Sequence, residues 1–515
     1  MQPWAGCLPA YSYRPAALAA VATSCCGLVF AARLSVNIVI RLFLLAILPL
    51  QAWAGIGEEG ARHLLSRTGF GANPAQIALY APLSRQQAVD RLLDHVSYTA
   101  LTAPPAWVNE PFERPGKANL NEDEKKALQK ERNEHALELR GWWLEEMRIS
   151  PSPFTEKMTL FWHNHFVSGL DKVGVPQLMY QQNVLLRKQA VGNFGQLLHA
   201  IARDPAMMRY LDTVNNRKGQ PNENFAREVM ELFTLGEGHY SEQDIREAAR
   251  AFTGWSLDKD FQFVYRPNLH DNGDKTIFGQ QGNFDGDDVL DMLLRNPQTA
   301  RFVTLKLWKY LISPTPDQAD IKRLSALFYR DNYEIRPLLR AMLLTPAFWN
   351  SQGQLVKSPV ELTVGTLVTF DLTPPDWRAL AGLNRQLGQD VFNPPNVKGW
   401  PGGDVWINSN TLLTRKQFLD RLSHDAAPIR NSFVMADGQM DEQRGREARI
   451  RRLVQAGLRP IKLQPDEWAA IYHVKTAADA ARLLLALPPA QPLAADMTGA
   501  QAIAPLLLDP AYQVH

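Results

Sequence analysis

The chain has 515 residues, 45% of them apolar and 21% charged, which excludes wholesale disorder and is enough for a large core. Fifty-five Lys and Arg stand against 53 Asp and Glu; three of those bases and none of the acids lie in residues 1–54, leaving 52 against 53 for the rest. With no basic excess to neutralise phosphates, nucleic acid is not expected as a partner.

Residues 1–54 read as a leader. Two apolar runs, Ala16–Ala32 and Val36–Leu50, end in Ala52-Trp53-Ala54 ahead of Gly55. A short basic start, an apolar stretch and small residues three and one before the cut are what a signal peptidase reads. Cleavage after Ala54 and export to the periplasm or medium are therefore expected, with no stable membrane span afterwards. An uncleaved anchor is the alternative, because the two runs together are long enough to span. Cys7, Cys25 and Cys26 all fall in this leader. The mature chain then has no disulfide, thiol nucleophile or Cys-bound zinc.

Helical spacing dominates the chain beyond Ala54. Glu58–Leu65, Ser84–Leu93, Glu122–Met147, Pro153–Phe166, Gln177–Ala190, Phe194–Ala202 and Glu223–Leu235 carry apolar residues three and four apart. Ser241 to Asp244 is an acidic variant of the capping box, and Asp204-Pro205, Thr345-Pro346 and Asp509-Pro510 are cap-then-proline helix starts. Strand signal is scarce: Phe261–Tyr265 alternates and Thr276-Ile277-Phe278 comes after a turn-rich stretch, predicting one small hairpin. Thr102–Gly116 and Asn393–Ser409 are long loops rich in Pro, Gly or Trp. The pattern predicts an all-α, irregular multi-helix domain over 55–425, then a polar linker and short helical tail over 426–515. No phosphate loop, Gly-x-Ser-x-Gly elbow or His-Glu-x-x-His motif occurs.

Several segments together carry a resemblance: His63–Gly71, Phe161–Phe166, Pro221–Glu228 running into Glu231–Gly236, Ala251–Trp255, His270-Asp271 with Lys275, and Val397–Trp400. In that order, from about His63 to Leu422, the chain strongly resembles the domain-of-unknown-function 1800 family. The resemblance implies an exported, mainly helical bacterial protein, often encoded beside a second exported, sulfatase-like family that is a candidate partner. It implies no established activity. Many members carry His where this chain has Phe233.

Candidate chemistry lies in four places. On one helix, His163 and His165 point about 200° apart and cannot share a metal ion. His165 shares the face of Phe161 and Trp162 and is expected in the core with one hydrogen bond, whereas His163 is the better site candidate. Asn222 or Asn224 can cap the next helix, on which Asn224, Glu228 and Glu231 line one face. Two carboxylates at that spacing repel unless a base, a retained proton or a cation relieves them. Arg227 is expected to reach Glu231 alone, and the Asn/Glu/Glu set suits a divalent cation such as calcium or magnesium. His270-Asp271, in the turn between the predicted strands, offers general-base or ligand chemistry and is expected to complete the acidic site. Trp255 and Trp400, with Trp406, are candidate sugar-stacking platforms. Two functions are compatible with these groups. One is an exported hydrolase acting on envelope or extracellular material, with Glu228, Glu231, His270, Asp271 and His163 as its catalytic groups. The other is a non-catalytic partner of another exported protein.

Overall fold

Capping chemistry sets the helix boundaries. A computed structural model describes residues 55–110, 120–424 and 440–515; the expected leader, part of the expected Pro-rich loop and most of the expected polar linker lie outside them. Ser84, Asn121 and Ser241 each close a capping box, and Asp204 and Thr345 accept from the third residue of a helix that begins with Pro. The four helices that set the frame are α1 (Gly57–Thr68), α2 (Glu122–Ile149), α3 (Pro153–His165) and α4 (Pro176–Lys188).

α3 packs against α2 and α4 and is buried nearly all round, so its polar residues need internal partners. They have them. Glu156 receives Arg187 in a fork of 2.6 and 2.9 Å and the Trp143 indole N–H at 2.9 Å. Lys157 meets Glu361, and Thr155 meets Ser152. Trp143, Trp162, Phe154, Phe166, Phe194 and Phe233 fill the surrounding core with no appreciable exposure.

α5 (Glu223–Glu228) runs into a π-helical turn, Val229–Thr234, and packs on α6 (Glu242–Ala251). α7 (Pro297–Leu311) lies against that π turn. α8 (Pro359–Thr369) and α9 (Trp377–Gln386) both pack on α2. The C-terminal helices α10 (Met440–Leu458), α11 (Ala477–Leu484) and α12 (Gly499–Leu508) return to the body: α10 against α9, α11 against α1 and α12, and Val514 bridging Val356. Gly55–His515 forms one compact unit.

The strands correct the single expected hairpin. Among the described residues there are two two-stranded antiparallel sheets, β1 (Trp255–Leu257) with β2 (Phe263–Tyr265) and β3 (Lys275–Ile277) with β4 (Gln280–Gly282). The reason is turn chemistry. Asp258 accepts from the Asp260 and Gln262 amides and folds β2 back on β1. Phe278 and Gly279, at φ 49° and 76°, make the primed two-residue turn that returns β4 on β3. His270–Asp271 therefore joins two hairpins instead of capping one. The class is mainly helical with two small sheets, and no described helix is long and apolar enough to cross a membrane.

Candidate functional site

The end of α3 puts His163 and His165 in separate surroundings. His163 is 2% exposed, with the rings of Trp143, Phe392 and Trp400 at 5.5, 5.6 and 5.7 Å. Its Nε2 has no partner, and burial pushes the imidazole down to about 3, so it is neutral. His165 packs on Phe161, Phe166 and Phe233, and its Nε2 donates to the Phe233 carbonyl at 3.1 Å. Between them, Asn164 clasps a loop: Oδ1 accepts from the Trp400 N–H at 2.7 Å, and Nδ2 donates to the Trp400 carbonyl at 3.3 Å. Gly399 has φ +80°, and a Cβ there would lie 2.3 Å from Asn164 Oδ1, so the turn requires glycine. The clasp seats Lys398, whose Nζ lies 3.7 Å from Glu231 Oε1.

Asn222 caps α5, accepting from the Asn224 N–H at 2.9 Å while its own N–H donates to Asn216 Oδ1. The first bond satisfies one of the N–H groups left open at the start of the helix. Asn224 is exposed one turn before Glu228. The helix then widens: the Leu235 N–H reaches back five residues to Met230 O at 2.8 Å, and Thr234 Oγ1 donates to Val229 O at 2.5 Å. Carbonyls loosened by the wide turn are taken up by side chains, Phe233 by His165, Leu232 by Lys306 at 3.4 Å and Leu235 by Gln298 at 2.9 Å. π turns of this kind concentrate at functional sites.

This turn carries two unlike carboxyls. Glu231 accepts from the Tyr240 hydroxyl at 2.8 Å and faces the Lys398 ammonium. Glu228 is half-buried and makes no hydrogen bond or ion pair with any described residue. Burial, then repulsion by Glu231, raises its pKa, with Lys398 and Arg227 opposing. The pairing expected for Arg227 is corrected. It forks onto Glu242 at 2.8 and 2.8 Å and reaches Glu223 at 3.3 Å, because the start of α6 presents a carboxylate in bidentate geometry.

His270 and Asp271 are engaged elsewhere. His270 is 4% exposed, with Nδ1 2.8 Å from Thr253 O. Asp271 takes Arg250 at 2.8 and 3.3 Å and the Gly273 N–H at 2.9 Å; Arg250 holds its carboxyl down to about 2. Lys275 is buried and donates to the carbonyls of Asp271 and Gly273 and to Asn283 Oδ1. No hydrogen bond or ion pair among the described residues joins this turn to Glu228 or Glu231. The structure sets Lys398 and Tyr240 against Glu231 in its place. Lys398 lies within a motif legible in the sequence, and Tyr240 immediately precedes the Ser241 cap; neither has helical spacing to the acids, which is why local pattern did not single them out.

Two further expectations meet the structure. Trp255 is 3% exposed between Phe252 and Phe263 with the Arg203 guanidinium over it, and Trp400 is 5% exposed against His163. Neither offers an open face for a sugar; both plug core edges. Among the described residues no group of three His, Cys, Asp or Glu is placed to hold a metal ion.

Fold and site together define a mainly helical protein in which three of the motif-bearing segments, Phe161–Phe166, Pro221–Gly236 and Val397–Trp400, meet around an unequal carboxyl pair. A family model described as Protein of unknown function (DUF1800) matches residues 63–514, and the chain belongs to that family. The match continues past Leu422 through α10, α11 and α12. No curated protein and no solved structure matches the chain.

Proposed function

We propose that the protein is an exported bacterial hydrolase acting on envelope or extracellular material, with Glu228 as general acid and Glu231 as its carboxylate partner. The observation that carries the reading is the inequality of the two groups. Glu228 has no donor and is disposed to keep a proton, whereas Glu231 has a hydroxyl and an ammonium beside it. Two carboxyls with environments that differ in this way divide acid and base roles between them. Glu228 would protonate a leaving group while Glu231 orients or activates water, with Tyr240 and Lys398 placing the Glu231 oxygens.

Purified chain beginning at Gly55, assayed on a panel of envelope polymers and simple esters, tests this. Glu228→Gln is expected to lower turnover by about 10²–10⁴-fold. Unchanged turnover in Glu228→Gln overturns it. Export is tested separately: N-terminal sequencing of protein from the periplasm or medium should begin at Gly55, and a chain retaining Leu42–Leu50 refutes the cleavage. A second reading, a non-catalytic partner of a sulfatase-like exported protein, draws support from His270 and Asp271 being satisfied internally and from His163 being packed among aromatic rings. Stable co-purification with that partner, together with no turnover on any substrate of the panel, would favour it.

A further inference from the structure

A second cluster, where α1 meets the start of α8 and the C-terminal residues, has a surplus of bases. Arg62, Arg67, Lys157, Lys357 and Arg415 gather there with two acids, Glu361 and Glu59. Glu361 is taken: Lys157 pairs with it, the Ser358 N–H donates at 2.6 Å and His515 Nε2 lies 3.8 Å away. Arg67 is spent on the carbonyls of Leu311, Ile312 and Ser351, and Arg415 on Gln513 Oε1 and Lys357 O. Lys357 is different. Its Nζ sits 4.0 Å over the Tyr512 ring and has no acceptor among the described residues.

Lys357 faces a cavity of about 30 Å³ whose wall also includes Arg62, Tyr512 and His515. A space of that size takes roughly two waters or the two oxygens of a carboxylate. Arg62 and Ala486 also line an open cleft of about 730 Å³, whose apolar wall is Ala477, Ala481, Leu485, Leu487 and Pro488 and whose lining also includes Glu59, Gln352, Thr476 and Arg482. Cations gathered inside a protein without matching anions are costly. Burial, then the Arg62 charge, pushes Lys357 down to about 7, with Glu361 opposing and Arg415 adding to the fall. An anion in the cavity would reverse that.

We propose that the cavity binds the carboxylate of a fatty acid, its oxygens between Lys357 and Arg62 and its chain along the Ala-, Leu- and Pro-walled cleft. An acyl chain suits the apolar wall of Ala477, Ala481, Leu485, Leu487 and Pro488 because, unlike a peptide, it brings no backbone polar groups that need partners there. The proposal is independent of the Glu228 reading.

Calorimetric titration of the chain beginning at Gly55 with octanoate, octanol and acetate tests it. Octanoate should bind one to one, more tightly at pH 6 than at pH 8 as Lys357 takes up a proton, and octanol should bind at least about tenfold more weakly. Lys357→Met should weaken octanoate about tenfold or more. Leu487→Asp, at a 44%-exposed cleft residue, should weaken octanoate but leave acetate binding unchanged. Equal affinity for octanol and octanoate, undiminished binding in Lys357→Met, no effect of Leu487→Asp or an absence of binding heat would each overturn the proposal. Tighter binding of a short apolar peptide with a free C-terminus would also overturn it, by reassigning the cavity to a peptide end.

Discussion

Asn164 and Trp400 close a ring of two hydrogen bonds, 2.7 and 3.3 Å, in which a side-chain amide meets both polar groups of a loop residue 236 positions away. The ring ties the end of the most buried helix to the loop bearing Lys398, and so fixes what faces Glu231. Replacing Asn164 by Ala leaves the Trp400 N–H without its acceptor. A loss of about 1–3 kcal/mol is expected. Gly399→Ala should cost at least as much, since it places a Cβ against Asn164 at a positive φ. Urea denaturation measures both; a stability change below about 0.5 kcal/mol in either would mean that the clasp does not hold the loop.

Local pattern carried far along this chain. Caps such as Ser84 and Ser241 act through bonds two or three residues long, so the sequence alone places them. The divergence of His163 and His165 comes from helical geometry in the same way. What local pattern could not carry was choice among distant partners. Arg227 had an acid at helical spacing, yet Glu242 on the next helix presents a better fork. The π turn depends on His165, Lys306 and Gln298, from two other helices, taking up loosened carbonyls. Asp271 looked free to join the acids until α6 set Arg250 against it. In each case a partner brought in by the fold displaces the expected one.

Glu228 has a pH signature of its own. Its native carboxyl keeps a proton at pH values where the unfolded chain has already released it, so stability falls as pH rises through that interval. Glu228→Gln removes the effect. The variant should melt higher than the parent at pH 7–8 and match it near pH 4. A variant destabilised at both pH values would show that Glu228 supports the fold and is not poised for chemistry.

Glu361 behaves in the opposite sense. Burial alone would raise its carboxyl, but Lys157, His515 and the Ser358 N–H overcome that and hold it well below the usual range. Glu361→Gln leaves Lys157 buried without its counter-charge, a change expected to cost about 3–5 kcal/mol. Denaturant unfolding should show the loss at pH 7. If Glu361→Gln unfolds at the parental midpoint, the pair is not held closed in solution.

The buried imidazoles should govern the first stage of acid unfolding. Burial comes first in lowering both His63 and His163 to about 3, with Arg67 adding to the effect at His63. The unfolded chain takes up these protons near pH 6.5, whereas the native state resists until about pH 3. Their contribution to stability is therefore complete above pH 6.5 and is lost as pH falls toward 3. Each neutral His steepens the decline by up to roughly 1.4 kcal/mol per pH unit in that window. His163→Phe fits the same aromatic surroundings and removes a nitrogen that has no partner, so it should be near neutral at pH 8 and flatten the slope between pH 6 and 4. His165→Phe should differ, costing about 1–3 kcal/mol even at pH 8, because the Phe233 carbonyl in the π turn loses its donor. Stability curves of the parent and both variants across pH 4–8 decide the matter; a parental slope in His163→Phe would mean that His163 is protonated in the native state.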